Sequence, residues 1–321
     1  MKVILIQETA LSNIVLPSYL TNKNWLLFDI ETTGFDRKNT KVILIGLIYP
    51  VNGEIRVKQI FAESFRDEKF LLLEFLKDLR DKDTYISFNG NNFDIPYLNA
   101  RYSYNDINYV ISKIKSFDIY PYFKDNKALF KIPDAKLKTI EKFLEIERED
   151  TIDGKESIYL YYKYLKNKND DDLNKILLHN KDDIINLLHL TIKTISMDQR
   201  VLSYGPKIIE LDSDKIYVSD ITYLDELLHI SLHSEFFSSS YHIIKPIFKM
   251  DTLSKNKFIQ LPILIFYNDF KKYIFVDTNK LFNIDFDQLT SEEKHCYLIA
   301  SNDNYKFDNL SKIIQNKIDI P

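Results

Sequence analysis

Two acids near the start of the chain, Asp29 and Glu31 in the run Phe28-Asp29-Ile30-Glu31, carry the first chemical signal. On a β-strand side chains alternate, so Leu27, Asp29 and Glu31 share one face while Phe28 and Ile30 take the other. Two like charges side by side on a central strand are costly unless a cation neutralises them. A third carboxylate, Asp94, follows the glycine loop Asn89-Gly90-Asn91-Asn92 at a helix entrance, where it is placed to offer an oxygen to a metal. The fourth, Asp183, lies on a helical seam with Ile176, Asn180 and Leu187, at a position where an apolar residue is expected. His179 sits one turn earlier, on the same side as Asp183. Hard Mg²⁺ or Mn²⁺ prefers carboxylate oxygen, and two such ions about 4 Å apart stabilise both the attacking and the leaving oxygen of an in-line displacement. Histidine, with an unperturbed pKa near 6.5, is suited to taking a proton from water near neutral pH.

Each piece also has a plainer reading. Asp-x-Glu alone describes a solvated strand end, Asp94 two residues before Pro96 has the pattern of an N-cap, and a lone histidine beside a core is commonly structural. The elements that must position these residues decide between the readings. Residues 25–31, 41–49 and 54–61 read as β-segments, the last two joined by the Asn-Gly turn of 50–53. Helical spacing follows over 67–80, a strand over 85–88, a helix over 94–102 and a short strand over 116–119. From residue 134 the pattern is helical, through 137–146 and 158–165, to a long helix over 171–195. Three antiparallel strands followed by alternating strands and helices is the order of a ribonuclease-H-like α/β fold, a mixed five-stranded sheet flanked by helices.

With that order in place, Phe28-Asp29-Ile30-Glu31-Thr32-Thr33-Gly34-Phe35, then Asn89-Gly90 with Phe93-Asp94-Ile95-Pro96, then His179-Asn180-Lys181-Asp182-Asp183 resemble the three exonuclease motifs of the DnaQ-like, or DEDD, superfamily. Leu137-Lys138-Thr139-Ile140-Glu141 and the stretch from Gly154 to Leu165, leading to Leu178-His179-Asn180, look like the YprB-type ribonuclease-H-like domain. The resemblance covers about residues 25–195. It implies two-metal phosphodiester hydrolysis with Asp29, Glu31, Asp94 and Asp183 as ligands and His179 activating water. The four-residue step from His179 to Asp183 is the spacing usual for the tyrosine branch of the superfamily; the histidine branch more often uses five. Thr32, Asn89 and Asn180, within the same motifs, are the candidate substrate contacts. The expected function is a metal-dependent 3′→5′ exonuclease acting on single-stranded DNA or RNA. The alternatives are a structure-selective endonuclease using the same site and a nucleic-acid-binding module without catalysis.

Composition is the balance of a soluble globular protein: 321 residues, 45% hydrophobic and 28% charged. No apolar run approaches the roughly 20 residues that span a bilayer, and Gln7 and Glu8 interrupt the opening apolar run too early for a signal peptide. The expectation is a cytoplasmic protein that does not engage membranes. One cysteine, Cys296, excludes an internal disulfide and a Cys-based zinc cluster. A net charge of −4 does not advertise nucleic-acid binding, so contact with phosphates needs a local patch, for which Lys113, Lys115, Lys136, Lys138, Lys163, Lys166 and Lys168 are placed.

The texture changes near Met197, which divides the chain into an exonuclease domain over 1–196 and a smaller α+β accessory domain over 197–321. Strands are expected there over 207–211, 261–267, 273–277 and 297–300, and helices over 223–233 and 309–318. On the expected helix His229 and His233 lie one turn apart with Glu226 nearby, but no third zinc ligand is identifiable and structural histidines are the better reading. Asp118 before Pro121 reads as a cap, and the cluster Tyr159, Tyr161, Tyr162 and Tyr164 reads as packing more than as a base-stacking platform.

Overall fold

Even-numbered residues of the strand Trp25–Thr32 face one apolar layer and odd-numbered ones another, and this alternation organises the first half of the chain. The computed structural model describes residues 1–6, 11, 14–21, 23–211, 214–224, 227–233, 256–268, 271–282, 284–301 and 304–315. It divides into two compact units, Met1–Gly205 and Pro206–Pro321.

The first unit is built on strands β1 (Lys2–Ile6), β2 (Trp25–Thr32), β3 (Val42–Val51), β4 (Glu54–Phe61), β5 (Thr84–Ser87) and β6 (Ser116–Asp118). Their order is β1-β4-β3-β2-β5-β6, with β1 to β4 mutually antiparallel where they pair and β5 and β6 running parallel to β2. The sheet therefore has six strands where the sequence suggests five. The added edge strand, β1, leaves Val3 and Leu5 exposed, so it shows no buried face from which a strand is read.

The helices are α1 (Ser18–Thr21), α2 (Glu68–Leu79), α3 (Asp94–Tyr104), α4 (Tyr120–Asp125), α5 (Lys127–Phe130), α6 (Leu137–Phe143), α7 (Gly154–Asn167) and α8 (Asp170–Met197). Leu26, Phe28 and Ile30 pack with Leu72, Phe75, Ile95 and Leu98 of α2 and α3. Trp25 and Leu27 face Ile184, Leu187 and Leu188 of α8 on the opposite side. Asn169 caps α8, accepting from the Asp171 and Asp172 amides, and three aspartates in its first turn complement the helix dipole. Asp153 caps α7 in the same way, through Lys155 and Glu156.

Gly46 sets how closely α8 can approach the sheet. It lies between Asp29 and Gln59 on neighbouring strands, and an added Cβ would stand 2.2 Å from the Asn180 Oδ1 and 3.0 Å from an Ile184 methyl. The Asn180 amide cannot yield, because it is fully buried between Asp29 and Gln59. Gly46→Ala is expected to cost about 1–3 kcal/mol, the usual range for overpacking. Urea unfolding measures it, and a variant as stable as the wild type would show that α8 does not need this close approach.

The second unit is an antiparallel sheet in the order β13-β12-β11-β10-β9-β8-β7, comprising β7 (Ile208–Leu211), β8 (Asp214–Leu224), β9 (Leu227–His233), β10 (Asn256–Asn268), β11 (Lys271–Val276), β12 (Leu298–Ser301) and β13 (Asn304–Tyr305). Its helices are α9 (Thr278–Phe282), α10 (Ser291–Cys296) and α11 (Phe307–Gln315). Leu228, Ile230, Leu261, Ile263, Ile274 and Val276 form its core with Leu310 and Ile313 of α11. The expected helix over 223–233 is not formed. Leu227–His233 is a strand paired on both sides, because Leu228 and Ile230 alternate into the core with period two and the β8 and β10 ladders outweigh local helical spacing. His229 faces Gln260, Nδ1 to Nε2 at 3.1 Å, and no helical histidine pair exists; Glu226 and residues 316–318 of the expected last helix lie outside the described residues. No helix among the described residues is long and apolar enough to cross a membrane.

Candidate active site

Three elements converge on one end of the sheet. Strand β2 brings Asp29 and Glu31, the first turn of α3 brings Asp94, and α8 brings His179 and Asp183. Asp94 Oδ1 accepts from the Ile30 backbone N–H at 3.3 Å, which pins the α3 entrance to the strand between the two β2 acids. His179 Nε2 lies 3.6 Å from Glu31 Oε1 and 3.6 Å from Asp183 Oδ2. Ligand atoms of Glu31, His179 and Asp183 all fall within 4.8 Å of one another.

Crowding shows in the titration behaviour of the metal-free protein. Burial, then the charges of Asp183, Asp94 and Glu31, raises the Asp29 pKa well above the carboxylate range. Burial pushes Glu31 up to about 7 against the pull of His179, and burial likewise pushes Asp94 up to about 7. Asp183 is also raised by burial, with His179 and Arg148 opposing. For His179 burial favours the neutral ring, but Asp183, Glu31 and Asp150 outweigh it and its pKa is raised. A set of hard oxygen donors that repel one another when ionised is the donor chemistry a divalent cation offsets, so these residues fit a hard divalent cation.

This crowding has a pH signature. Glu31 and Asp94 lose their protons near 4.5 and 3.8 in the unfolded chain and near 7 in the folded one. Between those values the folded state holds more protons, so the stability these groups contribute is complete below pH about 4 and falls as pH rises toward 7. Cations bind the deprotonated acids, and stabilisation by Mn²⁺ is expected to grow between pH 5 and pH 7.5. Thermal melts in EDTA and in Mn²⁺ across that range test it; a gain independent of pH would separate the ions from these carboxylates.

The supporting residues explain why the acids stay where they are. Asn180 Nδ2 donates to Asp29 Oδ2 at 3.2 Å while its Oδ1 accepts from Gln59 Nε2 at 2.9 Å. Asn180, read from sequence as a substrate contact, is fully buried with both ends of its amide engaged and thus positions Asp29. Thr32 is buried and its hydroxyl donates to the Gly34 carbonyl at 2.9 Å, shaping the turn after β2. Asn89 adopts φ +62° in the loop before α3, its Oδ1 accepting from Asn92 Nδ2 at 2.9 Å. Asp118 accepts from the backbone of Asn89, Asn91 and Tyr120 and so caps the turn and holds that loop.

Several contributors escape the sequence reading. Ser157 at the start of α7 donates to Glu31 Oε2 at 3.1 Å. Arg148, from the segment between α6 and α7, reaches Asp183 Oδ1 at 2.7 Å, Glu141 at 2.6 and 3.0 Å, and Asp150. Asp150 Oδ2 in turn lies 3.2 Å from His179 Nδ1, within ion-pair distance though off the line of a well-directed hydrogen bond. Within the charged run Glu145-Ile146-Glu147-Arg148-Glu149-Asp150 no spacing singles this pair out. Of the clustered tyrosines, Tyr161 and Tyr164 pack on Phe61 with centroids 5.7 and 5.5 Å away, whereas Tyr159 and Tyr162 are exposed. Lysines expected to form a basic patch are partly tied up: Lys163 pairs with Asp172, Lys136 with Asp134 and Lys138 with Asp150.

A family model described as RNase H superfamily matches residues 26–195. The chain belongs to the RNase H superfamily. The chain is 27% identical over 206 residues to the uncharacterized protein YprB of Bacillus subtilis, covering 62% of this chain and 48% of YprB. It is 33% identical over 75 residues to DNA polymerase 1 of Sulfurisphaera ohwakuensis, 23% of this chain and 8% of the polymerase. The chain thus spans about half the length of YprB and a small part of the polymerase. Solved structures similar to it include the family B DNA polymerase of Pyrobaculum calidifontis, at 16% identity and TM-score 0.44 over 54% of this chain and 24% of that one. Another is E. coli exonuclease I in complex with a 5cy-dA13 oligonucleotide, at 10% identity and TM-score 0.38 over 69% and 56%. The RNase H-like unit ends its sheet in an acidic cluster suited to divalent cations, in keeping with the motif resemblance to the DnaQ-like and YprB-type domains.

Proposed function

We propose that this RNase H superfamily member is a metal-dependent 3′→5′ exonuclease that hydrolyses phosphodiester bonds of single-stranded DNA or RNA in the cytoplasm. The observation that carries the reading is the clustering of Asp29, Glu31, Asp94 and Asp183, whose charges act on one another, with His179 Nε2 3.6 Å from an oxygen of Glu31 and of Asp183. Two Mg²⁺ or Mn²⁺ ions held by the four carboxylates would supply positive charge to the attacking and leaving oxygens. His179 takes a proton from the attacking water, Asn180 and Ser157 hold Asp29 and Glu31, and Asn89 in its loop and Thr32 at the end of β2 border an incoming strand. The second unit, whose described residues show no comparable acid cluster, serves to position substrate or a partner in this reading.

The test is digestion of 5′-labelled single-stranded DNA and RNA with Mg²⁺ or Mn²⁺ and with EDTA. A ladder that shrinks from the 3′ end only with metal supports the proposal. Internal cuts at junctions would replace it with a structure-selective endonuclease, and binding without cleavage would replace it with an inactive nucleic-acid-binding module.

A further inference from the structure

The segment 147–150 is strapped onto α8 more firmly than a connection between two helices requires. Asp182 Oδ2 accepts from the backbone N–H groups of both Glu149 and Asp150 at 2.7 Å, and Asn186 Nδ2 donates to the Glu147 carbonyl at 3.0 Å. The strap presents Asp150, whose side chain is buried, to the side of the His179 ring facing away from Glu31 and Asp183. Arg148 and, at 3.6 Å, Lys138 fix the Asp150 carboxylate from behind.

We propose that Asp150 is a positioning residue for the reaction: its carboxylate accepts a hydrogen bond from the Nδ1–H of His179, keeping the proton on Nδ1 and leaving the Nε2 lone pair aimed between Glu31 and Asp183. The proposal rests on the reading of His179 as the group that takes the proton from water. An imidazole has one N–H when neutral, and which nitrogen bears it is set by the partner of the other. The Nε2 side offers no fixed acceptor that should hold a proton once the acids bind cations, whereas Asp150 stays an anion held by Arg148. The misalignment of the 3.2 Å contact is small in energy, since χ2 of histidine is a broad torsion and a modest ring rotation aligns it. Asp182, three residues after His179 on α8 and facing the strap, is the anchor of this geometry.

The first measurement needs no variant. In the full-length protein with ¹⁵N-labelled histidine and saturating Mg²⁺ at pH 9, the His179 ring, assigned by its loss in His179→Ala, should carry its proton on Nδ1; an Nε2–H tautomer would overturn the proposal. The second is a double-mutant cycle with Asp150→Asn and His179→Ala. Removing a carboxylate that orients a functional imidazole typically costs about 10–100-fold. Asp150→Asn should lower kcat by that factor with KM for an oligonucleotide within about twofold, and should add nothing in the His179→Ala background. Equal losses in both backgrounds would show that Asp150 acts independently of His179 and would end the assignment. If the wild-type chain cleaves no nucleic acid, the nuclease reading fails, and the tautomer alone decides for or against Asp150.

Discussion

Asp29→Asn is expected to lower hydrolysis by about 10²–10³-fold while leaving the metal-free protein folded and slightly more stable. The loss is set at the scale seen when one preorganised electrostatic group is removed from an active site. The gain in stability follows from the surroundings of Asp29: half-buried, beside Asp183, Asp94 and Glu31, and raised in pKa by desolvation and by those three charges. An asparagine has nearly the same shape, can still accept from Asn180 Nδ2 through its amide oxygen, and removes one of four repelling charges. If the relief is about 1 kcal/mol, the midpoint in EDTA should rise by about 2–4 °C. Asp183→Ala should lose hydrolysis to the same degree without that gain, because Arg148 loses its 2.7 Å partner and is left with Glu141 and Asp150. Steady-state rates and melts in EDTA read both effects. Wild-type turnover by either purified variant would remove the carboxylates from the reaction.

This contrast between Asp29 and Asp183 also marks how far the sequence carries. Asp29 and Glu31 are legible because a strand imposes period two, and their neighbours Leu27, Phe28 and Ile30 reveal which face is which. Asp183 is legible because a charge interrupts an apolar helical seam. Arg148 and Asp150 are not, since they lie 35 and 29 residues before the α8 side chains they meet, Asp183 and His179, and no local period encodes that contact. Asn180 illustrates the remaining ambiguity: its place on the seam is visible, but whether its amide meets substrate or Asp29 depends on Gly46 and Gln59 across the sheet. Strand β9 fails for a related reason. Leu227, Leu228, Ile230 and Leu232 satisfy helical and strand spacing alike over so short a run, and only the pairing with β8 and β10 decides.

Removing His179 should separate chemistry from metal binding. General-base catalysis supplies about 10²–10⁴-fold, so His179→Ala is expected to slow hydrolysis by that range while still binding Mn²⁺ through the four carboxylates. The geometry supports the separation: Nε2 stands 3.6 Å from one oxygen each of Glu31 and Asp183, leaving their other oxygens, held by Ser157 and Arg148, unaffected by loss of the ring. If the imidazole were itself a ligand, as its 4.8 Å grouping with Glu31 and Asp183 allows, Mn²⁺ affinity measured by calorimetry would fall along with the rate. His179→Tyr probes the same position more finely, because the four-residue step to Asp183 is the one at which tyrosine is usual in the superfamily that the motifs resemble. Where placement of a polar group over the attacking water matters more than basicity, the tyrosine variant should recover part of the activity that alanine loses. A wild-type rate for His179→Ala across pH 6 to 9 at saturating metal would rule out a catalytic role for His179, and the orienting role of Asp150 would fall with it.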